Sequence, residues 1–384
     1  MSPLDGILVA DFSRVLAGPL ATVTLADLGA TVVKVERPGS GDDTRQWGPP
    51  WTPHTSAYFE SANRGKQSAC LDLDDPDDLE TARALATDAD VVVENFRVGA
   101  LEGRGLGYAA VSEANPRVVY CSVSGFGSGA GSELPGYDFI AQAVGGLMSI
   151  TGDAGPTKVG VALVDVLTAK DATVGILAAL RERDASGRGQ HIEVNLLSSL
   201  LGSLVNQATS YLATGRSPGL LGNTHPSIAP YETLMCRDAA LAVCCGNDRQ
   251  FRRLAETVGR PELADDARFR TNADRVEHRP DLVTALEEAL GADIAERWAR
   301  RLTGVGVRAG CVGDIASALE LADALDLAPL VDVGSEALPQ VRNPVSYSRT
   351  PITGYRRPPH LGEHTELVRQ RVTRRTTPCQ RPGP

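Results

Sequence analysis

The chain of 384 residues lacks several features that would each have narrowed its function at once. Its seven cysteines, Cys70, Cys121, Cys236, Cys244, Cys245, Cys311 and Cys379, form no CxxC pair, and their number is odd. That pattern fits reduced thiols in apolar surroundings and excludes a disulfide frame or a zinc ribbon, so no metal site is expected. No uninterrupted apolar run approaches the roughly 20 residues that a membrane helix requires. The opening, Met1-Ser2-Pro3-Leu4-Asp5-Gly6, has neither a basic segment nor a long apolar core, so a cytoplasmic protein without a secretory signal is expected. Excess positive charge is also missing. A formal charge of −10 speaks against a general nucleic-acid or membrane binder, although it leaves room for a small anion held by a local group of arginines. Finally, there is no G-x-G-x-x-G fingerprint: the first strand-to-helix turn reads Ser13-Arg14-Val15-Leu16-Ala17-Gly18-Pro19, which disfavours a nicotinamide dehydrogenase.

What is present is a repeated alternation of strand and helix. Ile7–Phe12 reads as a buried strand, the segment from Pro19 to Gly29 as a helix, and Thr31–Glu36 as a second strand. Such a unit of about thirty residues predicts a parallel sheet with right-handed crossovers. Asp75-Pro76 starts another helix, with Leu79, Ala82 and Leu85 on one face, and Val91–Val93, Arg117–Val123 and His191–Val194 continue the strands. Hydrophobic residues make up 42% of the chain and charged residues 22%, ordinary values for a globular enzyme. The fold class expected is α/β: an open, Rossmann-like large domain from residues 1–214 and 335–368. A Gly- and Pro-rich linker or active-site loop at 215–230 leads into a smaller α+β domain at 231–334. Residues 369–384, basic and Pro-rich, read as a disordered tail.

One carboxylate stands out. Lys158–Thr168 is an apolar run with the single acid Asp165, passing at once into a helix whose core stripe reads Val174, Leu177, Ala178 and Leu180. A lone aspartate among aliphatic residues is costly to bury as an anion unless something pairs with it. Pattern alone favours a helix N-cap over a reactive group.

Several ordered motifs resemble the family III CoA-transferases, the group of formyl-CoA and carnitine CoA-transferases. They include Leu28–Glu36, Asn63-Arg64-Gly65-Lys66 with Leu71-Asp72-Leu73, Val93-Glu94-Asn95-Phe96, Gly125-Phe126-Gly127 and Pro135-Gly136-Tyr137-Asp138. The Asp165 stretch, Gly187–Gln190 and Leu361–Thr365 complete the series, and together they span roughly residues 4 to 368. The resemblance implies an interlocked homodimer, with coenzyme A or acyl-CoA and a carboxylic acid as substrates. It implies no permanently bound cofactor and no membrane or nucleic-acid partner. Asp165 falls on the position of the family's catalytic aspartate, which forms an anhydride and then an aspartyl-CoA thioester in a site kept dry against hydrolysis. By position, Leu16, Ala17, Arg37, Leu71, Asn95, Phe96, Arg97 and Arg104 would contact CoA, and Tyr137 would line the thioester end. Arg104 stands in Gly103-Arg104-Gly105, where the family has Arg, an apolar residue and Gly, so its assignment comes from a shifted position.

In place of the glycine run of formyl-CoA transferases the chain has Gly222-Asn223-Thr224-His225-Pro226, which looks more like relatives that use succinyl-CoA or other dicarboxylic acids. His225 either hydrogen-bonds an acceptor carboxylate or shapes the turn. An α-methylacyl-CoA racemase on a similar fold is the first alternative. It is disfavoured because that branch commonly has His-Asp where this chain has Tyr137-Asp138, and tyrosine, with an ordinary pKa of about 10, is a poor base. A non-catalytic CoA-binding protein is the second, and the intact Asp165 argues against it.

Overall fold

A computed structural model describes residues 2–376. The chain divides into two compact units. The first comprises the described residues up to Leu147, Val159–Arg216 and those from Ala328 on; the second comprises Met148–Lys158 and Ser217–Leu327.

The first unit is built on six strands: β1 (Leu8–Asp11), β2 (Thr31–Glu36), β3 (Gln67–Cys70), β4 (Val91–Glu94), β5 (Val119–Ser124) and β6 (His191–Asn195). All pair in parallel, in the order β3-β2-β1-β4-β5-β6. The pleat of each strand makes successive side chains face opposite layers. Val9, Val91, Val93 and Val119 accordingly face one core, with helix α1 (Ala17–Asp27) and a long helix at Leu163–Ser186. Leu8, Ala10, Val92 and Tyr120 face the other, against a helix at Pro76–Asp88. Asp75 caps that helix by accepting from the Asp77 and Asp78 N–H groups, with Pro76 at the first turn, as its sequence predicts.

Three local expectations are corrected. Asp165 does not precede its helix but is the third residue of Leu163–Ser186. Of the expected core stripe of that helix, Leu180 is buried and Leu177 packs against the core, but Val174, 66% exposed, and Ala178 face away, and Ala172, Ile176 and Ala179 take their place. Small residues let the helix lie close to α1, so the alanine stripe is buried and the larger valine is turned away. The stretch from residue 369, expected to be disordered, continues as the helix Thr365–Thr376. Val368 and Val372, one turn apart, bury themselves against the second core, while Arg369 pairs with Asp78 at 2.8 Å. Residues 377–384 of the expected tail lie outside the described residues.

The second unit carries a three-stranded antiparallel sheet of Tyr231–Met235, Ala240–Cys244 and Arg308–Cys311. Its own core gathers Leu241, Val243, Phe251, Leu254, Leu286 and Trp298. No helix among the described residues is long and apolar enough to cross a membrane.

Candidate active site

The strand order reverses direction of progression between β1 and β4, and open α/β sheets bind ligands beyond the carboxyl ends of strands at such a point. Here Asn95, just after β4, staples the two loops together: its Oδ1 accepts from the Arg14 N–H at 2.9 Å, and its Nδ2 donates to the Arg14 carbonyl at 2.7 Å. Below the turn lies a buried charge network. Asp11 accepts from Ser13, Thr22 and Lys66, the last at 3.0 Å, and Lys34 pairs with Asp42 at 2.8 Å while donating to the Ser13 carbonyl. Asp42 in turn accepts from the N–H of Val15, whose φ of 69° places it in the left-handed region. Burial, only partly offset by Asp11, lowers Lys66 to about 8. The turn is thus held by fixed charges, with the start of α1 left uncapped by any side chain.

Two cavities open over these strand ends. The larger, about 510 Å³, is lined by Leu16, Ala17, Asn95, Phe96, Arg97, Tyr137 and Asp165. The smaller, about 240 Å³, is lined by Arg37, Leu71, Phe96 and Arg104. Arg14 and Phe96 belong to both, with the Arg14 guanidinium 5.8 Å from the Phe96 ring centre. All the residues assigned to CoA, and Asp165, therefore line two cavities that share Arg14 and Phe96. Arg37 pairs with Asp43 at 3.4 Å, Arg104 with Asp74 at 2.6 Å, and Arg97 with Glu133. These exposed pairs are weak, so an incoming polyanion can recruit the guanidinium groups at little cost. The wall is shaped by a backbone crossing. A Cβ on Gly125 would stand 2.5 Å from the Gly136 Cα, so neither residue can carry a side chain there.

Asp165 lines the larger cavity. The N-cap alternative fails, because another residue fills that role: Asp138 Oδ1 accepts from the Val164 N–H at 2.7 Å and from the Asp165 N–H at 3.4 Å. Gln142, fully buried, donates to Asp138 Oδ2 at 2.7 Å and accepts from the Val159 N–H at 2.9 Å, holding the cap in place. Among the described residues no hydrogen bond or ion pair reaches the Asp165 carboxylate. Burial, reinforced by the Asp138 charge, pushes it from an ordinary 3.8 up to about 7. Asp138, Gln142 and Tyr58, whose hydroxyl burial and the Asp165 charge push up to about 12, are site residues that motif reading did not single out. The signal for Asp138 was its place in Pro135–Asp138; nothing in the sequence points to Gln142 or Tyr58.

Gly222, Asn223 and His225 belong to the second unit. The Gly222 N–H bonds to the Gly152 carbonyl, Asn223 Nδ2 donates to Thr233, and His225 Nδ1 accepts from the Ser227 N–H at 3.1 Å. Arg279 donates to the His225 and Ile228 carbonyls and to Glu232, clamping the loop. Since Nδ1 is an acceptor, the proton of a neutral His225 ring sits on Nε2 as a donor. The imidazole shapes the turn through its bond from Ser227.

Residues 4–365 match CoA-transferase family III, nearly the whole described chain. The chain belongs to that family. A succinate–glutarate CoA-transferase of Agrobacterium fabrum is 42% identical over 95% of this chain and 94% of its own length. A succinyl-CoA:glutarate CoA-transferase of Mus musculus is 38% identical over 97% of this chain and 87% of its own length. The crystal structure of a CAIB/BAIF family protein from Brucella suis superimposes with a TM-score of 0.87 at 41% identity, covering 97% of this chain and 99% of that one. As a family III CoA-transferase, the protein moves CoA between an acyl-CoA and a carboxylic acid. This is the reaction class expected from its motifs, and the racemase and the non-catalytic binder are set aside.

Proposed function

We propose that Asp165 is the nucleophile and that the acyl donor is a dicarboxylic acyl-CoA such as succinyl-CoA. The observation that carries the first part is a carboxylate that no hydrogen bond reaches among the described residues, lining a cavity of about 510 Å³, with its helix capped by a different acid. A desolvated, weakly acidic carboxylate is a stronger nucleophile than a solvated one. In this reading the Asp165 oxygen attacks the thioester carbonyl, the C–S bond breaks, and CoA leaves as thiolate. The thiolate then attacks the Asp165 carbonyl of the mixed anhydride, releasing the donor acid and forming aspartyl-CoA thioester. The acceptor carboxylate attacks that thioester, and the returning thiolate takes the acceptor acyl group and frees Asp165. No proton needs to be moved, so the absence of a paired base beside Asp165 is no obstacle.

Phosphate groups of CoA would lie near Arg14, Arg37 and Arg104, with Leu71 packing beneath, and pantetheine would run past Leu16, Ala17, Phe96 and Arg97 toward Tyr137 and Asp165. The dicarboxylate preference draws on the relatives' named substrates and on Asn223 and His225, which we assign to acceptor recognition. The interlocked homodimer is also proposed. The helix Val205–Thr214 buries none of its residues and exposes Val205, Tyr211 and Leu212; Ile315–Ala324 buries none and exposes Ile315 and Leu321. Apolar faces of this kind mark subunit surfaces. Light scattering should give twice the 40.5 kDa chain mass.

The deciding experiment is intact-protein mass spectrometry after adding succinyl-CoA without an acceptor. A gain of one CoA less water, absent in Asp165→Ala, is expected. Transfer activity without any adduct on rapid quenching, or an adduct retained in Asp165→Ala, would overturn the assignment.

A further inference from the structure

The sequence offers no metal-binding spacing, but the fold assembles one from distant segments of the first unit. His54, Glu336 and His360 each present a ligand atom within 4.8 Å of the others. The two imidazole rings meet edge to face with centres 4.5 Å apart, and His360 Nε2 lies 3.9 Å from Glu336 Oε2. Glu336 holds its position with a φ of 73°, a conformation that non-glycine residues seldom adopt.

A second observation points the same way. The cavity lined by His54, Glu336 and His360 is also lined by Glu60, which is 6% exposed. Among the described residues no hydrogen bond or ion pair reaches the Glu60 carboxylate. This carboxylate without a protein partner lines the same cavity, and a cation is a simple complement to it. The two guanidinium groups on this cavity are already engaged elsewhere. Arg45 binds Glu36 through two contacts of 2.7 Å, and Arg357 binds Glu363 at 2.9 and 2.8 Å. That leaves two carboxylates and two imidazoles, a charge and donor set that suits a dication. The free space is about 10 Å³, enough for one water-sized sphere and too little for an organic ligand.

We propose that His54, Glu336 and His360 bind one divalent transition-metal ion of the zinc class, with the nearby Glu60 balancing its charge. Two imidazole nitrogens and one carboxylate form a common ligand set for zinc, with water in the fourth position. Ligand atoms up to 4.8 Å apart need to close by about 1 Å to reach metal–ligand bonds of roughly 2.0–2.2 Å. All three residues lie in irregular segments, which can accommodate this. The ion would fasten the loop before Ala57–Ser61 to the returning C-terminal segment and would take no part in CoA transfer.

The test uses full-length protein stripped with chelator and dialysed, then titrated with Zn²⁺ by calorimetry and with Co²⁺ by absorption spectroscopy. We expect one site per chain, a visible cobalt band of low-symmetry coordination, and a rise in Tm of about 3 °C or more at a hundredfold excess over Kd. His54→Gln and His360→Gln, checked for folding by circular dichroism, should lose at least tenfold in affinity, and the cobalt band should disappear. CoA-transfer activity of stripped and zinc-loaded protein should agree within about twofold. No binding at 100 µM, or binding and spectra unchanged in both folded variants, would overturn the proposal. Should either variant fail to fold, Glu336→Gln supplies the same comparison from an exposed position.

Discussion

Replacing Asp165 with asparagine should abolish transfer and at the same time stabilise the protein, and the size of that gain can be worked from the site. Native Asp165 titrates at about 7 because burial and Asp138 oppose its charge, against an ordinary 3.8. At 1.36 kcal/mol for each pH unit, the gap between these values sets a ceiling of about 4 kcal/mol for the cost of ionising Asp165 in the folded chain. The side chain is partly open to the cavity, and water there lowers the cost to about 2 kcal/mol. The native pKa lies above the unfolded one, so the folded state holds the proton more tightly. The resulting stability is fully present below pH 4, declines as pH rises, and is lost once pH passes 7. Asparagine has nearly the same shape, carries no charge at any pH, and can donate toward Asp138. The variant and the wild type should therefore unfold together near pH 4 and diverge between pH 4 and 7. Above that the gap should be constant, with Asp165→Asn higher in Tm by about 2–3 °C at pH 8. Thermal unfolding followed by circular dichroism at pH 4.5, 6 and 8 measures this directly. A gap independent of pH, or a less stable variant at pH 8, would show that Asp165 is not a desolvated acid in the native state.

Other consequences follow from the same geometry. With the wild type, kcat/KM for acyl-CoA should fall on the acid side with an apparent pKa near 7, since only ionised Asp165 attacks. Asp138→Asn should move that limb to lower pH and reduce kcat, because it removes the neighbouring charge and breaks the Gln142 contact; an unmoved limb would rule out Asp138 as a contributor. Asp11→Ala should destabilise by about 3–5 kcal/mol in chemical denaturation, as it leaves buried Lys66 without its counter-charge. Gly136→Ala should raise KM for acyl-CoA at least tenfold with a smaller effect on the acceptor, because the Cβ would displace Gly125 and the cavity wall. His225→Ala should raise KM for the acceptor acid while leaving the half-reaction with donor acyl-CoA near wild type, and equal losses in both would remove it from acceptor recognition.

Local pattern determined much of the large unit. Strands β1, β2, β4 and β5 are short, largely apolar runs in which alternate residues face two cores, whereas β3, Gln67–Cys70, carries no such pattern, and Asp75-Pro76 carries its helix start in the two residues themselves. The ordered motifs marked Asp165 and the residues that line the two cavities, although the Ser13–Ala17 turn among them is itself held by Asn95, Lys34 and Asp42 from elsewhere in the chain. What sequence could not decide were matters settled by distant neighbours. Whether Asp165 was a cap or a free carboxylate depended on Asp138, 27 residues earlier, reaching the helix start first. Which face of that helix was buried depended on α1, whose close approach selects alanines over Val174. The part of the helix Thr365–Thr376 from Arg369 on read as a tail until Asp78 and the second core were there to neutralise and cover it. The His54, Glu336 and His360 cluster joins residues about 280 positions apart. Periodicity and spacing report only what a chain segment does with its own neighbours. Charge pairing and desolvation depend on what tertiary structure brings alongside, and those terms set the chemistry at Asp165.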